Sequence, residues 1–127
     1  MAGHEPKRVN RDKGLRSEQR ALDYLLAAGL TLLTRNYRCR QGEIDLVMTD
    51  SNCLVFVEVR YRASNRFADA AGSVDLRKQA KIRRTAQNFL GRHLGLTDAP
   101  VRFDVVAFDG AEVDQCRLQW TKDAFRV

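Results

Sequence analysis

Apolar residues recur at helical spacing in two stretches of the chain. Leu15, Leu22, Leu25 and Leu26 share one face at separations of three, four and seven residues, which predicts a helix from Gly14 to Gly29. A glycine at the last position is typical of a helix end. The second predicted helix runs from Val74 to Leu94, and its apolar side consists of Ile82, Ala86, Phe89, Leu90 and Leu94.

Runs rich in β-branched and aromatic residues predict the strands. A basic loop from Arg38 to Gln41 and an irregular loop from Arg62 to Ser73 interrupt them. The order of elements is α-β-β-β-α-β(-β), which predicts one α/β domain with a mixed β-sheet flanked by helices. The predicted strands are Thr31 to Tyr37, Glu43 to Thr49, Leu54 to Tyr61, Val101 to Phe108 and Val113 to Gln119.

The second and third strands are predicted to form an antiparallel hairpin around Ser51 and Asn52. Its register follows from the alternation of side chains, because a slip by one residue would mix apolar and polar positions on both faces. Asp45 is then predicted to lie opposite Glu58 on the face that also holds Val47 and Phe56. The opposite face is apolar and pairs Ile44 with Val59, Leu46 with Val57, and Met48 with Val55.

Two carboxylates facing each other in a sheet destabilise it unless a cation offsets their charge. Oxygen ligands favour a hard divalent cation, so Asp45 and Glu58 are predicted to hold Mg²⁺ or Mn²⁺. Two alternatives stay open: each acid pairs with an arginine, or one acid takes up a proton. Arg60 points the same way as Glu58 and could orient a phosphate or an attacking water, or simply form a salt bridge.

Glu18 is a third acid in an unusual place, because it lies on the apolar stripe of the first helix. The positive end of the helix dipole could favour it there. It could instead point across to the site of Asp45 and Glu58. The sequence leaves both explanations open.

Basic residues outnumber acidic ones by 22 to 16, which gives a formal charge of +6 and a pI near 9.7. This balance favours a polyanionic partner, nucleic acid first, although a basic protein without such a partner would look the same. One face of the second helix is basic and almost free of acids, so ion pairs along the helix do not explain it. The predicted nucleic-acid contacts are Arg38, Arg40, Arg62, Arg77, Lys78, Lys81 and Arg84.

The chain of 127 residues suits one domain, predicted to span residues 14–127 after a flexible basic tail at residues 1–13. No apolar run is long enough to span a membrane, and the polar start is unlike a secretory signal. Three cysteines without metal-type spacing are typical of reduced thiols. We therefore expect a cytoplasmic protein without a membrane partner, and a homodimer is among the open oligomeric states.

Several motifs together resemble the YraN family of uncharacterised bacterial proteins. Asp45 followed by Glu58-x-Arg60 is also similar to the short PD-(D/E)xK nuclease signature. The resemblance covers nearly everything after residue 13. Its motifs are Gly14-x-x-x-Glu18, Arg35-Asn36-Tyr37-Arg38, Gly42-Glu43-Ile44-Asp45-Leu46-Val47, Val55-Phe56-Val57-Glu58-Val59-Arg60-Tyr61-Arg62, Arg102-Phe103-Asp104-Val105-Val106 and Lys122-Asp123-Ala124-Phe125.

The resemblance implies a restriction-endonuclease-like fold, similar to archaeal Holliday-junction resolvases. Carried over, it implies that Glu18, Asp45 and Glu58 bind divalent metal and that Arg60 stands where the signature has lysine. Arginine cannot act as a base, which puts efficient catalysis in doubt, and Lys78 is a candidate substitute.

The first function predicted is a metal-dependent endonuclease acting on DNA, branched DNA included, with DNA favoured over RNA. There are two alternatives. One is a nucleic-acid-binding module without catalysis, which Arg60 favours, and the other is a protein-interaction domain.

Overall fold

The computed structural model describes residues 5–62, 74–110 and 117–126, and it has the predicted α/β architecture. A five-stranded sheet has the order β1-β2-β3-β4-β5, in which only β3 and β4 are parallel and the other neighbours are antiparallel. The elements are α1 (Glu5–Ala27), β1 (Thr31–Cys39), β2 (Gly42–Asp50), β3 (Cys53–Arg62), α2 (Leu76–Arg92), a short 3₁₀ turn (Leu94–Leu96), β4 (Val101–Asp109) and β5 (Arg117–Phe125).

The two helices cover opposite faces of the sheet. Helix α1 buries Ala21, Leu22 and Leu25 against a cluster that includes Leu46 and Val57. Helix α2 packs on the other face, where the largest buried side chains are aromatic. That second cluster contains Ile82, Ala86, Phe89, Phe56, Phe103 and Phe125. The hydrophobic core is therefore divided into two layers by the sheet, and α2 makes the crossover between the parallel strands β3 and β4.

Helix α1 begins at Glu5, nine residues before the predicted start, so part of the stretch predicted as a flexible tail is helical. The flexibility of that stretch stays a prediction. The predicted end is confirmed, because Gly29 follows the helix with a φ of 103°, and Leu30 N–H donates to the carbonyl of Leu25. The predicted burial of Leu15 and Leu26 is wrong, since both are exposed and the buried stripe runs through Ser17 and Glu18 instead.

The remaining boundaries differ from the predictions mainly at strand ends. Strand β1 continues to Cys39, so Arg38 lies in a strand and not in a loop. Helix α2 ends at Arg92, and Leu94 is 74% exposed in the 3₁₀ turn, not buried on the apolar side. The last strand runs on to Phe125, whereas residues 113–116 of the predicted strand, like loop residues 63–73, lie outside the described residues.

In the parts of the chain that the structure describes, no helix combines the length and the apolar character that crossing a membrane requires.

Candidate metal and nucleic-acid site

Strands β2 and β3 separate at Asp45, and this fork positions the site. The predicted register is confirmed from Asp50–Cys53 to Leu46–Val57. Beyond Val57 the ladder stops, and Oδ2 of Asp45 accepts a hydrogen bond of 2.7 Å from the backbone N–H of Val59. The predicted cross-strand pair of Asp45 with Glu58 therefore does not form, because a side-chain bond replaces the next ladder position.

The fork also moves Ile44 to the other face of the sheet. Leu46 packs under α1, whereas Ile44 packs under α2, although regular alternation would put both on one face. The neighbouring strand β1 is irregular at the same level, because Asn36, between the paired positions Arg35–Leu46 and Tyr37–Ile44, has a φ of 56°. The predicted pair of Ile44 with Val59 is accordingly wrong, since the β2–β3 ladder ends at Leu46–Val57 and Ile44 packs under α2.

Asp45 carries a charge that the surrounding protein disfavours. Burial raises its pKa to about 8, and the negative charges of Glu58, Glu18 and Glu43 act in the same direction, while the bond from Val59 N–H opposes them. Asp45 forms no ion pair with any residue that the structure describes. Without an added cation, the raised pKa favours the protonated, uncharged form of Asp45 over the carboxylate.

Glu58 is buried and already has cationic neighbours. Its Oε2 lies 3.1 Å from Nζ of Lys78 and 3.9 Å from a terminal guanidinium nitrogen of Arg60. Lys78 belongs to the first turn of α2, where the side chain of Asp75 caps the helix by accepting from Lys78 N–H. The ion-pair alternative therefore holds for Glu58, with lysine as the closer partner, and does not hold for Asp45.

Glu18 points into the same region from α1. Its Oε1 accepts hydrogen bonds from Arg35 at 3.2 Å and from Asn36 at 3.0 Å. The helix-dipole explanation is wrong, because α1 begins at Glu5 and the dipole acts mainly within the first turn. Glu18 instead links α1 to the irregular part of β1 beside Asp45.

A cavity of about 400 Å³ opens at the fork. Glu18, Asp45 and Glu43 line it, and Glu58 is not among its lining residues. Asp45 thus has three acidic neighbours: Glu18 and Glu43 line the cavity with it, and Glu58 lies outside the cavity on β3. The other lining residues are Gly14, Leu15, Ser17, Asn36, Arg38, Val59 and Tyr61.

The carboxylates around Asp45 are oxygen donors, which is the kind of ligand that the predicted Mg²⁺ or Mn²⁺ prefers. Within the described ranges, no three or more histidine, cysteine or acidic side chains are already grouped to hold a metal. Mg²⁺ is nevertheless commonly bound through one or two carboxylates, with water and substrate phosphate completing its coordination. Asp45 fits that role, because it is a half-buried oxygen donor whose charge lacks a described cationic partner.

The predicted nucleic-acid contacts fall into two groups. On α2, Arg77, Lys81 and Arg84 are exposed, which confirms a basic face next to Lys78. Near the cavity, Arg40 is exposed in the β1–β2 turn, whereas Arg38 forms an ion pair of 3.0 Å with Glu43. Arg62 ends β3, and its side chain lies outside the described residues.

Sequence reasoning missed another buried acid, Asp104 on β4. This side chain is fully buried and accepts bonds from Arg102, from the indole N–H of Trp120 and from the backbone N–H of Asp123. Arg102 also bonds Asp50 at 3.0 Å, and these carboxylates raise the pKa of its guanidinium. An acid inside the apolar run of β4 was the available signal. Its donors join β4 to β5, which is a structural role.

Comparison with known proteins agrees with the resemblance seen in the motifs. The family model described as "Uncharacterised protein family UPF0102" matches residues 17–108. A UPF0102 protein of Nitrosococcus oceani is 50% identical over 119 residues, which cover 94% of this chain and 95% of that protein. UPF0102 proteins of Pseudomonas putida and Ralstonia pickettii are 46% and 47% identical, each with 98% of both chains covered. The chain belongs to the UPF0102 family, which is the YraN family.

Proposed function

We propose that this protein is a divalent-metal-dependent endonuclease that hydrolyses phosphodiester bonds in DNA, branched DNA included. The proposal rests on the surroundings of the Asp45 carboxylate. This half-buried carboxylate is kept near three other acids, Glu58, Glu18 and Glu43, without a described counter-ion, at the mouth of an open cavity. Such an arrangement costs free energy unless a proton or a cation neutralises the carboxylate, and in this proposal a cation does so.

Each acid has a separate part in this proposal. Asp45 and Glu58 would hold Mg²⁺ or Mn²⁺, and Glu18 would complete or tune the site. A cation held there would lower the pKa of the attacking water, so that the water loses a proton to solvent more readily, and would offset negative charge on the phosphate. The bond from Val59 N–H fixes the rotamer of Asp45 beforehand, so that little side-chain entropy is lost on binding.

Arg60 would contact the scissile phosphate from β3. Its guanidinium lies on the side of Glu58 and is about one-third exposed, so it can reach both the acid and a ligand in solvent. Donation to a phosphate oxygen stabilises charge that develops during hydrolysis. Arginine does not give up its proton, so Arg60 serves electrostatics and positioning and not general-base catalysis.

The basic face of α2 would hold the DNA backbone. Arg77, Lys81 and Arg84 follow each other at spacings of four and three residues, hence on one side of the helix. Lys78, one residue after Arg77, contacts Glu58. A polyanion bound along this face would therefore lie close to Glu58. The net charge of +6 favours its approach to the protein.

A second function, nucleic-acid binding without cleavage, is favoured by one contact. The ammonium group of Lys78 already neutralises Glu58 in the absence of metal. If that ion pair persisted with DNA bound, Glu58 would contribute little to a metal site.

Cleavage of labelled DNA in Mn²⁺ separates the two functions. Four-way junctions, flaps, duplexes and single strands are incubated with wild type, with Asp45→Asn and with the control Asp98→Asn, which changes an exposed acid. Cleavage by wild type and Asp98→Asn, lost in Asp45→Asn, supports the endonuclease. Salt-sensitive binding by all three without cleavage supports the binding module and contradicts the proposal. RNA versions of the same substrates test the preference for DNA.

A further inference from the structure

Lys78 is placed differently from the other cations of α2. Its Nζ lies 3.1 Å from Oε2 of Glu58, closer than the guanidinium of Arg60 at 3.9 Å. The Lys78 side chain is 44% exposed, whereas that of Glu58 is 7% exposed. A half-exposed ammonium group therefore stands between a buried carboxylate and solvent.

The backbone of Lys78 is fixed while its side chain can move. Asp75 accepts a 2.8 Å hydrogen bond from Lys78 N–H and so anchors the first turn of α2. Lysine carries its charge on a flexible stem, and the Lys78 side of this ion pair is open to solvent, which screens the attraction. Lys78 can thus leave Glu58 at small cost when another cation takes its place.

We infer that Lys78 is an exchangeable counter-ion of the site: it neutralises Glu58 while no divalent cation is bound, and it turns to a phosphate oxygen of DNA when the cation arrives. The contact of Lys78 with a DNA phosphate rests on the proposed function. The exchange gives Lys78 two partners in succession, and both are anionic. Arg60 is the more distant cation, 3.9 Å from Glu58 against 3.1 Å for Lys78, so it neutralises that carboxylate less than Lys78 does.

The inference predicts two effects of opposite sign for Lys78→Met. Removal of the ammonium charge removes a competitor for Glu58, so Mn²⁺ should bind about two- to fivefold more tightly. Cleavage at saturating Mn²⁺ should nevertheless be slower, because the phosphate loses its contact. A side chain that merely stabilises the fold would not tighten metal binding while slowing the reaction.

Calorimetric titration with Mn²⁺ alone tests the first effect on wild type, Lys78→Met, Lys78→Arg and the control Lys81→Met. Lys81 is exposed on the same helix, so Lys81→Met makes the same change of net charge. Tighter binding by Lys78→Met alone, with wild-type affinity in Lys78→Arg, supports the exchange. Equal or weaker binding by Lys78→Met, an equal gain in Lys81→Met, or no binding by any variant overturns it.

The cleavage measurement separates this inference from the proposed function. If wild type cuts no DNA but Lys78→Met alone binds Mn²⁺ more tightly, the endonuclease proposal fails while the competition at Glu58 stands. If wild type cuts DNA and Lys78→Met cuts at least as fast at saturating Mn²⁺, the endonuclease stands and the phosphate contact of Lys78 is refuted.

Discussion

Replacing Asp45 with asparagine removes the charge that the fork disfavours and keeps the shape of the side chain. The amide oxygen of asparagine can still accept the bond from Val59 N–H, so the local backbone has no reason to change. In buffer with EDTA, we expect Asp45→Asn to be more stable than wild type at pH 8. The gain should shrink as the pH is lowered.

The sign follows from the direction of the pKa shift. The carboxyl of Asp45 has its pKa raised from 3.8 to about 8 in the folded protein. Between these values the folded state binds more protons than the unfolded state, so the free energy of unfolding of wild type falls as the pH rises. If the whole pKa shift acted on stability, the free energy of unfolding of wild type would fall by about 6 kcal/mol from low to high pH. Because Asp45 is only partly buried by solvent accessibility, we expect roughly 2–4 kcal/mol between pH 5 and pH 8.

Urea unfolding at several pH values, followed by the fluorescence of the single tryptophan, Trp120, measures this difference. Asp98→Asn is the matched control and should follow wild type at every pH. Equal pH dependence of wild type and Asp45→Asn would refute the reasoning, and so would lower stability of Asp45→Asn at pH 8. Either result would mean that a cation from the protein already offsets the charge.

Three further predictions concern other parts of the fold. Asp104→Asn should lower the free energy of unfolding by about 1.5–3 kcal/mol, because the buried carboxylate that accepts from Arg102 is lost while Arg102 keeps Asp50, and a loss below about 1 kcal/mol in urea would contradict this. Asn36→Gly should be more stable than Asn36→Ala by about 1 kcal/mol, since both lose the bond to Glu18 but only alanine is strained at a φ of 56°; equal urea midpoints would argue against strain. Arg84→Gln should reduce the salt dependence of DNA binding by about one counter-ion, while Arg117→Gln on β5 should not, as measured by fluorescence anisotropy at several salt concentrations.

The sequence was sufficient for the architecture because the alternation of apolar residues encodes the register of a sheet. Five pairs of the β2–β3 ladder, from Leu46–Val57 to Asp50–Cys53, follow the prediction. The prediction failed at Asp45 because a side chain there bonds to the backbone of the neighbouring strand. Side-chain periodicity describes regular strands only, so it contains no information about where a ladder gives way to such a bond.

For the helices, the sequence pattern predicted the apolar side correctly, but residues at the ends of that side were predicted wrongly. Leu15, 55% exposed at the cavity, and Leu94 fit the periodic pattern as well as the buried leucines do. Their exposure depends on how far the sheet extends beneath each helix, which is a tertiary property. Glu18 illustrates the converse: its burial could be predicted, and its partners on β1, Arg35 and Asn36, could not.

Asp45 and Asp104 together show why burial of an acid does not by itself indicate a functional site. Both are aspartates within apolar strands, and both are close to other charged groups. Asp104 is surrounded by donors from Arg102, Trp120 and Asp123, so its charge is balanced within the fold and nothing further needs to bind. Asp45 has one backbone donor and acidic neighbours, so its charge is unbalanced in the described structure. A structural aspartate would resemble Asp104, and this difference is the reason to look for the cation at Asp45.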